Sequence, residues 1–129
     1  MGILDWLAGK SGGVVPEESK MGKNVFRNIN GEEAARKVAS DEFLVLDVRT
    51  EREYQAHHIP GAILIPLQQL SSRHSELDPQ KPMLVFCEHG MRSVQACRFL
   101  SQLGFSSLYN VNGGMAAYPG PREGSAVRG

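Results

Sequence analysis

A cysteine stands where a buried strand gives way to a helix in the segment LVFCEHGMRSVQ, residues 84–95. Cys87 ends a strongly apolar run, and a helical pattern begins at Arg92. In an open parallel sheet, ligands bind beyond the carboxyl ends of the strands, where the next helix presents unpaired backbone N–H groups. Those groups and the helix dipole favour the thiolate form of a cysteine, which is the nucleophilic form. We therefore interpret Cys87 as a nucleophile rather than as a packed core residue, which is what most free cysteines are.

The residues that follow Cys87 support this interpretation. Gly90 allows the backbone to curl above the sulfur, because it carries no Cβ. Arg92 adds a permanent positive charge and a planar fork suited to an oxyanion, and Ser93 can cap the helix or donate its hydroxyl to the sulfur. The predicted active-site loop comprises Glu88, His89, Gly90, Met91, Arg92 and Ser93. We expect Cys97, on the apolar stripe of the following helix, to be a packed thiol, and a resolving cysteine is the alternative.

Strand-like and helix-like patterns alternate on both sides of this loop. Strands are predicted at 25–29, 42–48, 62–66, 82–87 and 107–111. Helical segments are predicted at 31–40, 51–58, 67–77, 92–104 and 113–118. Asn30 is a good N-cap for the first helix, and Gly104 ends the fourth. Strands joined by helical crossovers indicate an α/β fold with a mostly parallel sheet that is covered by helices on both faces.

The length of 129 residues favours one domain with a single core. We predict an N-terminal apolar segment and linker over 1–24, the domain over 25–118, and a flexible C-terminal tail over 119–129. Pro119 and Pro121 block regular structure in that tail. The N-terminal GILDWL has an apolar side, but it is too short for stable membrane anchoring, so we expect it to dock on the domain or to be disordered.

The composition excludes several classes of protein. Lys plus Arg equals Asp plus Glu, at 14 each, which argues against a nucleic-acid-binding surface. Two cysteines, ten positions apart, do not make a disulfide scaffold and fit a reducing compartment, so we expect a cytoplasmic protein. No apolar run approaches the ~20 residues that span a bilayer, and the start of the chain lacks the basic region of a secretory signal.

Three motifs, in the expected order, resemble those of the rhodanese-like sulfurtransferases. LDVRTEREYQAHHIPGAILIP resembles the family's Asp-Val-Arg, His-Ile-Pro-Gly-Ala and Ile-Pro stretch, and VFCEHGMRS resembles its active-site loop Cys-x-x-Gly-x-Arg-Ser. VNGGMAAY resembles its closing Gly-Gly segment, with Tyr118 where a tryptophan is more usual. The resemblance covers residues 25–118 and implies a five-stranded parallel sheet flanked by helices.

The resemblance also implies an activity. The Cys87 thiolate takes the outer sulfur of a donor such as thiosulfate, becomes a persulfide, and passes that sulfur to cyanide, a thiol or a partner protein of a sulfur relay. The loop amides then stabilise the charge on the terminal sulfur. The family's reaction requires no metal and no organic cofactor. The alternative is a sulfur-carrier or regulatory interaction domain with little turnover on small donors.

Two features of the loop bear on the substrate. Many members that favour thiosulfate carry a basic residue after the cysteine, whereas this chain has Glu88, which would repel a dianion. A persulfide-bearing protein or a neutral donor is therefore an alternative to thiosulfate. Four residues separate Cys87 from Arg92, whereas related phosphatases and arsenate reductases have a longer loop that surrounds a phosphoryl group. The short loop disfavours phosphatase-like activity.

Asp47 and Arg49 end a buried strand at the same edge of the predicted sheet as Cys87. They can line the pocket, with Arg49 holding an anionic substrate. The alternative, which we favour, is a structural ion pair, for example between Arg49 and Glu53 one turn later.

The histidines are weaker candidates. His57 and His58 are adjacent, so their side chains diverge and a shared metal ion is not expected. We expect His58 to bond the backbone rather than to react. His89 lies in the loop, where it can either tune the cysteine or point to solvent, and we favour solvent.

Overall fold

The computed structural model describes residues 25–127 and contains a five-stranded sheet. The strands are β1 Arg27–Ile29, β2 Leu44–Asp47, β3 Ile63–Leu64, β4 Met83–Phe86 and β5 Leu108–Val111. They lie in the order β1-β5-β4-β2-β3, and every neighbouring pair is parallel. The predicted α/β architecture is therefore confirmed. The predictions for residues 1–24 lie outside the described part of the chain.

The helices fall close to their predicted positions, with two exceptions. They are α1 Gly31–Ala39, α2 Glu51–Ala56, α3 Leu70–Arg73 and α4 Arg92–Gln102, with 3-10 turns at Leu67–Gln69, His74–Glu76 and Gly114–Ala117. The predicted helix over 67–77 is correct in part: residues 67–76 are helical, but only α3 is α-helical and a 3-10 turn lies on each side of it. The Ser72 hydroxyl donates to the Gln69 carbonyl, and local bonds of this kind compete with helical structure.

The second exception is α2, which ends before the two histidines that were predicted to belong to it. His57 adopts an extended conformation, with φ −166° and ψ 145°. His58 then forms an antiparallel bridge with Glu123. A partner 65 residues along the chain therefore ends this helix, and the local pattern does not contain that information.

The strand β4 is buried on both faces of the sheet. Met83 and Val85 pack into one core with α4, while Leu84 and Phe86 pack into the other core with α1 and the closing 3-10 turn. This explains its continuous apolar run, which is typical of a central parallel strand. Since alternate residues of a strand face opposite sides, Cys87 continues the Met83 and Val85 side and lies against α4.

Capping residues set the beginnings of the two helices that flank β2. The Asn30 side chain accepts from the Glu33 amide at 2.8 Å, as predicted for the N-cap of α1. Thr50 and Glu53 form a capping box at the start of α2, in which each side chain bonds the other residue's backbone N–H. The box turns the chain sharply after β2 and brings Glu53 to the edge of the sheet where Cys87 lies.

The segment after Tyr118 contacts the domain. Its described residues, 119–127, contain no helix, and their prolines account for that. The amides of Ser125 and Ala126 nevertheless donate to the Gln55 and Ala56 carbonyls, both at 2.8 Å. These bonds attach the segment to the end of α2, while the flexible tail over 119–129 stays a prediction.

Candidate active site

Cys87 follows directly after β4, at the carboxyl edge of the sheet. It is 1% exposed, and its sulfur belongs to the core between the sheet and α4. The loop of residues 88–91 then rises above it and leads into α4 at Arg92. The structure thus places the predicted nucleophile at the strand–loop–helix junction on which its assignment depended.

The sulfur receives a hydrogen bond from the loop backbone. The Gly90 amide donates to Cys87 Sγ at 2.9 Å. Gly90 has φ +97°, a left-handed conformation that glycine adopts without strain, and a Cβ there would lie 3.1 Å from the Gly113 backbone nitrogen. At the start of α4, the N-cap residue Met91 makes no side-chain hydrogen bond to the helix. The first amides of α4 therefore remain open to a ligand above the sulfur.

The closing Gly-Gly segment supports this loop from below. The Met115 amide donates to the Cys87 carbonyl at 2.8 Å, and the Ala116 amide donates to the Glu88 carbonyl at 3.0 Å. A Cβ on Gly114 would lie 2.3 Å from the Cys87 carbonyl oxygen. Only a glycine lets the two backbones approach so closely, which explains the Gly-Gly pair that the sequence places after β5.

Ser93 plays a role that the sequence did not predict. It is buried, and its hydroxyl donates to Asn110 Oδ1 rather than to the sulfur or to the start of α4. Its oxygen lies 3.3 Å from Cys87 Sγ and accepts from the thiol. Asn110 itself was missed, although a polar residue inside the apolar strand pattern SLYNV was a usable signal, because buried polar side chains require partners.

Arg92 forms an ion pair with Glu53, and its predicted contribution to an anion site stays a prediction. Its two terminal nitrogens bond the two carboxylate oxygens of Glu53, at 2.9 and 3.0 Å. The Arg92 hydrogen bonds hold the pKa of Glu53 at about 2, below its usual value of 4.5. The pair connects α2 to the active-site loop, and the capping box holds Glu53 in place for it.

Arg49 is fully buried and forms a structural ion pair, which is the alternative that the sequence analysis favoured, but its partner is not Glu53. Its Nε and Nη2 bond the Asp47 carboxylate, at 3.0 and 2.8 Å, and Nη1 bonds Glu88 Oε1 at 3.1 Å. Burial alone would lower the pKa of Arg49, but the two carboxylates outweigh it and raise that pKa. The Glu88 carboxylate is therefore held by Arg49 at the rim of the site.

His57 and His58 bond residues outside the active-site loop, whereas His89 lies in it. His57 Nδ1 accepts from Arg122 at 2.9 Å, and burial followed by the Arg122 charge lowers the pKa of His57. His58 bonds the Tyr54 carbonyl at 2.7 Å, as predicted, and stacks on the Tyr54 ring. His89 is exposed, in agreement with the solvent-facing alternative.

Cys97 lies in the core on the apolar face of α4, as predicted for a packed thiol. It is fully buried. Burial, with a smaller contribution from Cys87, raises the pKa of Cys97 to about 12. At neutral pH it therefore stays protonated and does not compete with Cys87 as a nucleophile.

Over residues 25–127, no three metal-ligating side chains lie close enough to hold a metal ion. The helices of the same range are too short and too polar to cross a membrane.

A sequence model of the Rhodanese-like domain family matches residues 30–119, well over half of the 129 residues. The chain therefore belongs to the rhodanese-like domain family, and the resemblance carried by the three motifs is confirmed.

Relatives and solved structures agree with this assignment. A protein of Allochromatium vinosum named "Sulfurtransferase" is 32% identical over 95 residues, which cover 73% of this chain and 89% of that protein. The "Putative sulfur carrier protein YrkF" of Bacillus subtilis is 37% identical over 108 residues, covering 83% of this chain but 58% of that protein. The crystal structure of a rhodanese-related protein from Thermoplasma volcanium superimposes with a TM-score of 0.69 at 32% identity, covering 75% of this chain and 97% of the other.

The Glu53–Arg92 pair predicts a specific dependence of stability on pH. The pKa of Glu53 falls from 4.5 to about 2 on folding. The stabilisation that the Glu53–Arg92 pair gives the folded state is thus complete above pH 4.5 and is lost as the pH falls towards 2.

In Glu53→Gln, we expect the free energy of unfolding to fall less over this range than in the wild type. The difference should be about 1 kcal/mol, since the pair is partly screened by solvent. Urea denaturation at several pH values measures it.

Glu33→Gln is the matched control, because it removes a helical ion pair with Lys37 far from the loop. It should follow the wild-type pH dependence. Parallel curves for the wild type and Glu53→Gln would contradict the assignment of this pair.

Proposed function

We propose that the chain is a sulfurtransferase that works through a persulfide on Cys87. One observation carries the proposal: a buried cysteine sulfur at the end of β4 accepts the Gly90 amide at 2.9 Å, beneath the open N-terminus of α4. Backbone N–H groups in this arrangement stabilise negative charge on sulfur. Membership of the rhodanese-like family and the name of the Allochromatium vinosum relative support the same activity.

The reaction consists of two displacements at sulfur. The Cys87 thiolate attacks the outer sulfur of a donor R–S–S⁻, the donor's S–S bond breaks, and RS⁻ leaves (sulfite, when thiosulfate is the donor). The outer sulfur now forms the Cys87 persulfide, and an acceptor thiolate or cyanide attacks it and releases the Cys87 thiolate. The Gly90 N–H and the first amides of α4 stabilise the terminal sulfur of the intermediate. No net oxidation occurs, so the cycle needs no further reactant.

The dimensions of the loop favour sulfur over phosphate chemistry. Four residues separate Cys87 from Arg92, and the Arg92 fork is already bound to Glu53. A phosphatase requires a ring of donors and a free guanidinium around a phosphoryl group. This loop supplies neither a wide ring nor an unpaired fork, so phosphatase-like activity stays disfavoured.

A sulfur carrier is the second candidate function, and the charges at the site favour it. Arg49 pairs with Asp47 and Glu88, and Arg92 pairs with Glu53. Both guanidinium groups nearest to the loop are thus neutralised by carboxylates, which weakens the attraction of a dianion such as thiosulfate. A persulfide carried by a thiol or by a partner protein has a smaller charge and suits such a site. The name of the Bacillus subtilis relative points to the same role.

We propose that the sulfur acceptor is a thiol or a protein of a sulfur relay. Both cysteines of this chain are free, which is typical of reducing compartments, where thiols are available as sulfur acceptors. A cytoplasmic location agrees with this.

The proposed intermediate predicts that Cys87 acquires one sulfur atom. Incubation with thiosulfate or with a low-molecular-weight persulfide should raise the intact mass by about 32 Da, and dithiothreitol should reverse the gain. Cys97→Ser should gain the same mass as the wild type, whereas Cys87→Ser should gain none. A gain that persists in Cys87→Ser, or no gain with either donor, would disprove the proposed intermediate.

A further prediction concerns the choice of sulfur donor. Glu88→Gln removes a negative charge from the rim and leaves Arg49 with its Asp47 partner. We expect the KM for thiosulfate to fall roughly fivefold, which corresponds to about 1 kcal/mol of charge interaction near the surface. The KM for a persulfide donor R–S–S⁻, which carries one negative charge fewer than thiosulfate, should change less. Initial rates of thiocyanate formation measure both.

Glu76→Gln serves as the control for this experiment, because it breaks an ion pair with Arg73 away from the loop. It should leave both KM values as in the wild type. An unchanged or higher KM for thiosulfate in Glu88→Gln would show that this carboxylate does not oppose the donor.

A further inference from the structure

A series of hydrogen-bonded polar side chains leads from the active-site sulfur towards the edge strand β1. Cys87 Sγ lies 3.3 Å from Ser93 Oγ, and the Ser93 hydroxyl donates to Asn110 Oδ1 at 2.5 Å. Cys87, Ser93 and Asn110 are each at most 1% exposed. A hydrogen bond in such a buried, low-dielectric site is stronger than one in water. The direction of the Ser93 hydroxyl therefore matters for the state of the sulfur.

The side-chain amide of Asn110 has a defined orientation. Its Nδ2 donates to Asn28 Oδ1 at 2.9 Å and to Asn112 Oδ1 at 3.3 Å. Since two acceptors meet the nitrogen, the Asn110 oxygen faces Ser93. An amide oxygen only accepts hydrogen bonds, so Ser93 must supply the hydrogen between them.

We propose that Asn110 is a positioning residue for the sulfur chemistry. Its Oδ1 competes with the Cys87 thiolate for the single hydroxyl hydrogen of Ser93. The proposal rests on the function proposed above and adds the residue that regulates the nucleophile. In the thiol form, the Cys87 S–H donates to Ser93 Oγ, and Ser93 donates to Asn110. When the thiol loses its proton to water, the Ser93 O–H bond turns to the sulfur and leaves Asn110 Oδ1 unpaired. Ser93 keeps its own hydrogen throughout, so the step is a rotation of one hydroxyl group.

Charged and titratable groups also lie in or around the active-site loop, and they come from four parts of the fold. These groups are Asp47 at the end of β2 with Arg49 shortly after it, Glu53 on α2, Glu88 and His89 in the loop, and Arg92 and Cys97 on α4. Among the described residues, none of these groups hydrogen-bonds the side chain of Ser93 or Asn110. Substitution of Asn110 therefore leaves these ion pairs in place and affects the Ser93 hydroxyl together with the Asn28 and Asn112 side chains that Asn110 bonds.

The rate at which iodoacetamide alkylates Cys87, measured against pH, tests the proposal. Asn110→Leu removes the competing acceptor, so the Ser93 hydroxyl becomes available to the thiolate. We expect the midpoint of the rate profile to move down by about one pH unit, which is a tenfold change in the ionisation equilibrium. Asn110→Asp is a stronger acceptor and carries a negative charge, so its midpoint should move up.

A double-mutant cycle with Ser93→Ala separates this role from a merely structural one. Without the Ser93 hydroxyl, Asn110→Leu should shift the midpoint by less than a third of its effect in the wild-type background. An equal shift in both backgrounds, or no shift in either, would overturn the proposal. Peptide mass mapping confirms that Cys87 is the residue alkylated.

A second variant covers the case in which Asn110→Leu does not fold. Asn28 lies on the exposed strand β1, and Asn28→Ala removes an acceptor that orients the Asn110 amide. Its midpoint should move in the same direction as that of Asn110→Leu, by about half a pH unit, and an unchanged midpoint would again overturn the proposal. Alkylation requires no sulfur donor, so a failure of the proposed sulfur transfer would leave this readout intact and be recognised separately.

Discussion

The hydrogen bond from the Gly90 amide to the Cys87 sulfur is the interaction on which the site depends. It exists because β4 ends at the carboxyl edge of a parallel sheet and α4 begins only a few residues later. The loop between them must therefore curl tightly, and the left-handed conformation of Gly90 makes that curl. The same geometry that closes the strand–helix junction directs a backbone donor at the sulfur.

The remainder of the site holds that loop in place. The closing 3-10 turn bonds the Cys87 and Glu88 carbonyls from below, and the Arg92–Glu53 pair fixes the other end of the loop to α2. These contacts come from separate elements, but each of them restrains the same short stretch of backbone. A loop restrained in this way loses little entropy when it binds a charged sulfur, which is the advantage of a preorganised site.

The charged groups near the sulfur form ion pairs that stabilise the fold. Arg49 is wholly buried, and a guanidinium in that position is tolerated only with carboxylate partners, here Asp47 and Glu88. Glu88 is therefore both a partner of Arg49 and a negative group at the rim of the site. Under the proposed sulfurtransferase function, this double role connects the stability of the domain to the choice of sulfur donor.

Much of the fold and the position of Cys87 at the strand–loop–helix junction could be predicted from the sequence, because both depend on local patterns. The continuous apolar run of β4, the N-cap Asn30 and the loop glycine are local signals, and the structure agrees with each. The partner of Arg92 could not be predicted, since Glu53 is 39 residues away in sequence. The polarity of Asn110 inside an apolar strand was a usable signal, but its partner was not, because its bond to Ser93 joins two elements that only the fold brings together.

The two-dimensional amide NMR spectrum, recorded while a persulfide donor is added, shows whether the Gly90 amide holds the Cys87 sulfur. We expect a second Gly90 amide resonance at a shifted position, whose share of the intensity equals the fraction of Cys87 that carries the extra sulfur, as measured by intact mass. No second Gly90 resonance should appear in Cys87→Ser. If Cys87 becomes loaded while the Gly90 resonance stays where it was, the backbone amide does not hold the sulfur and the account is wrong.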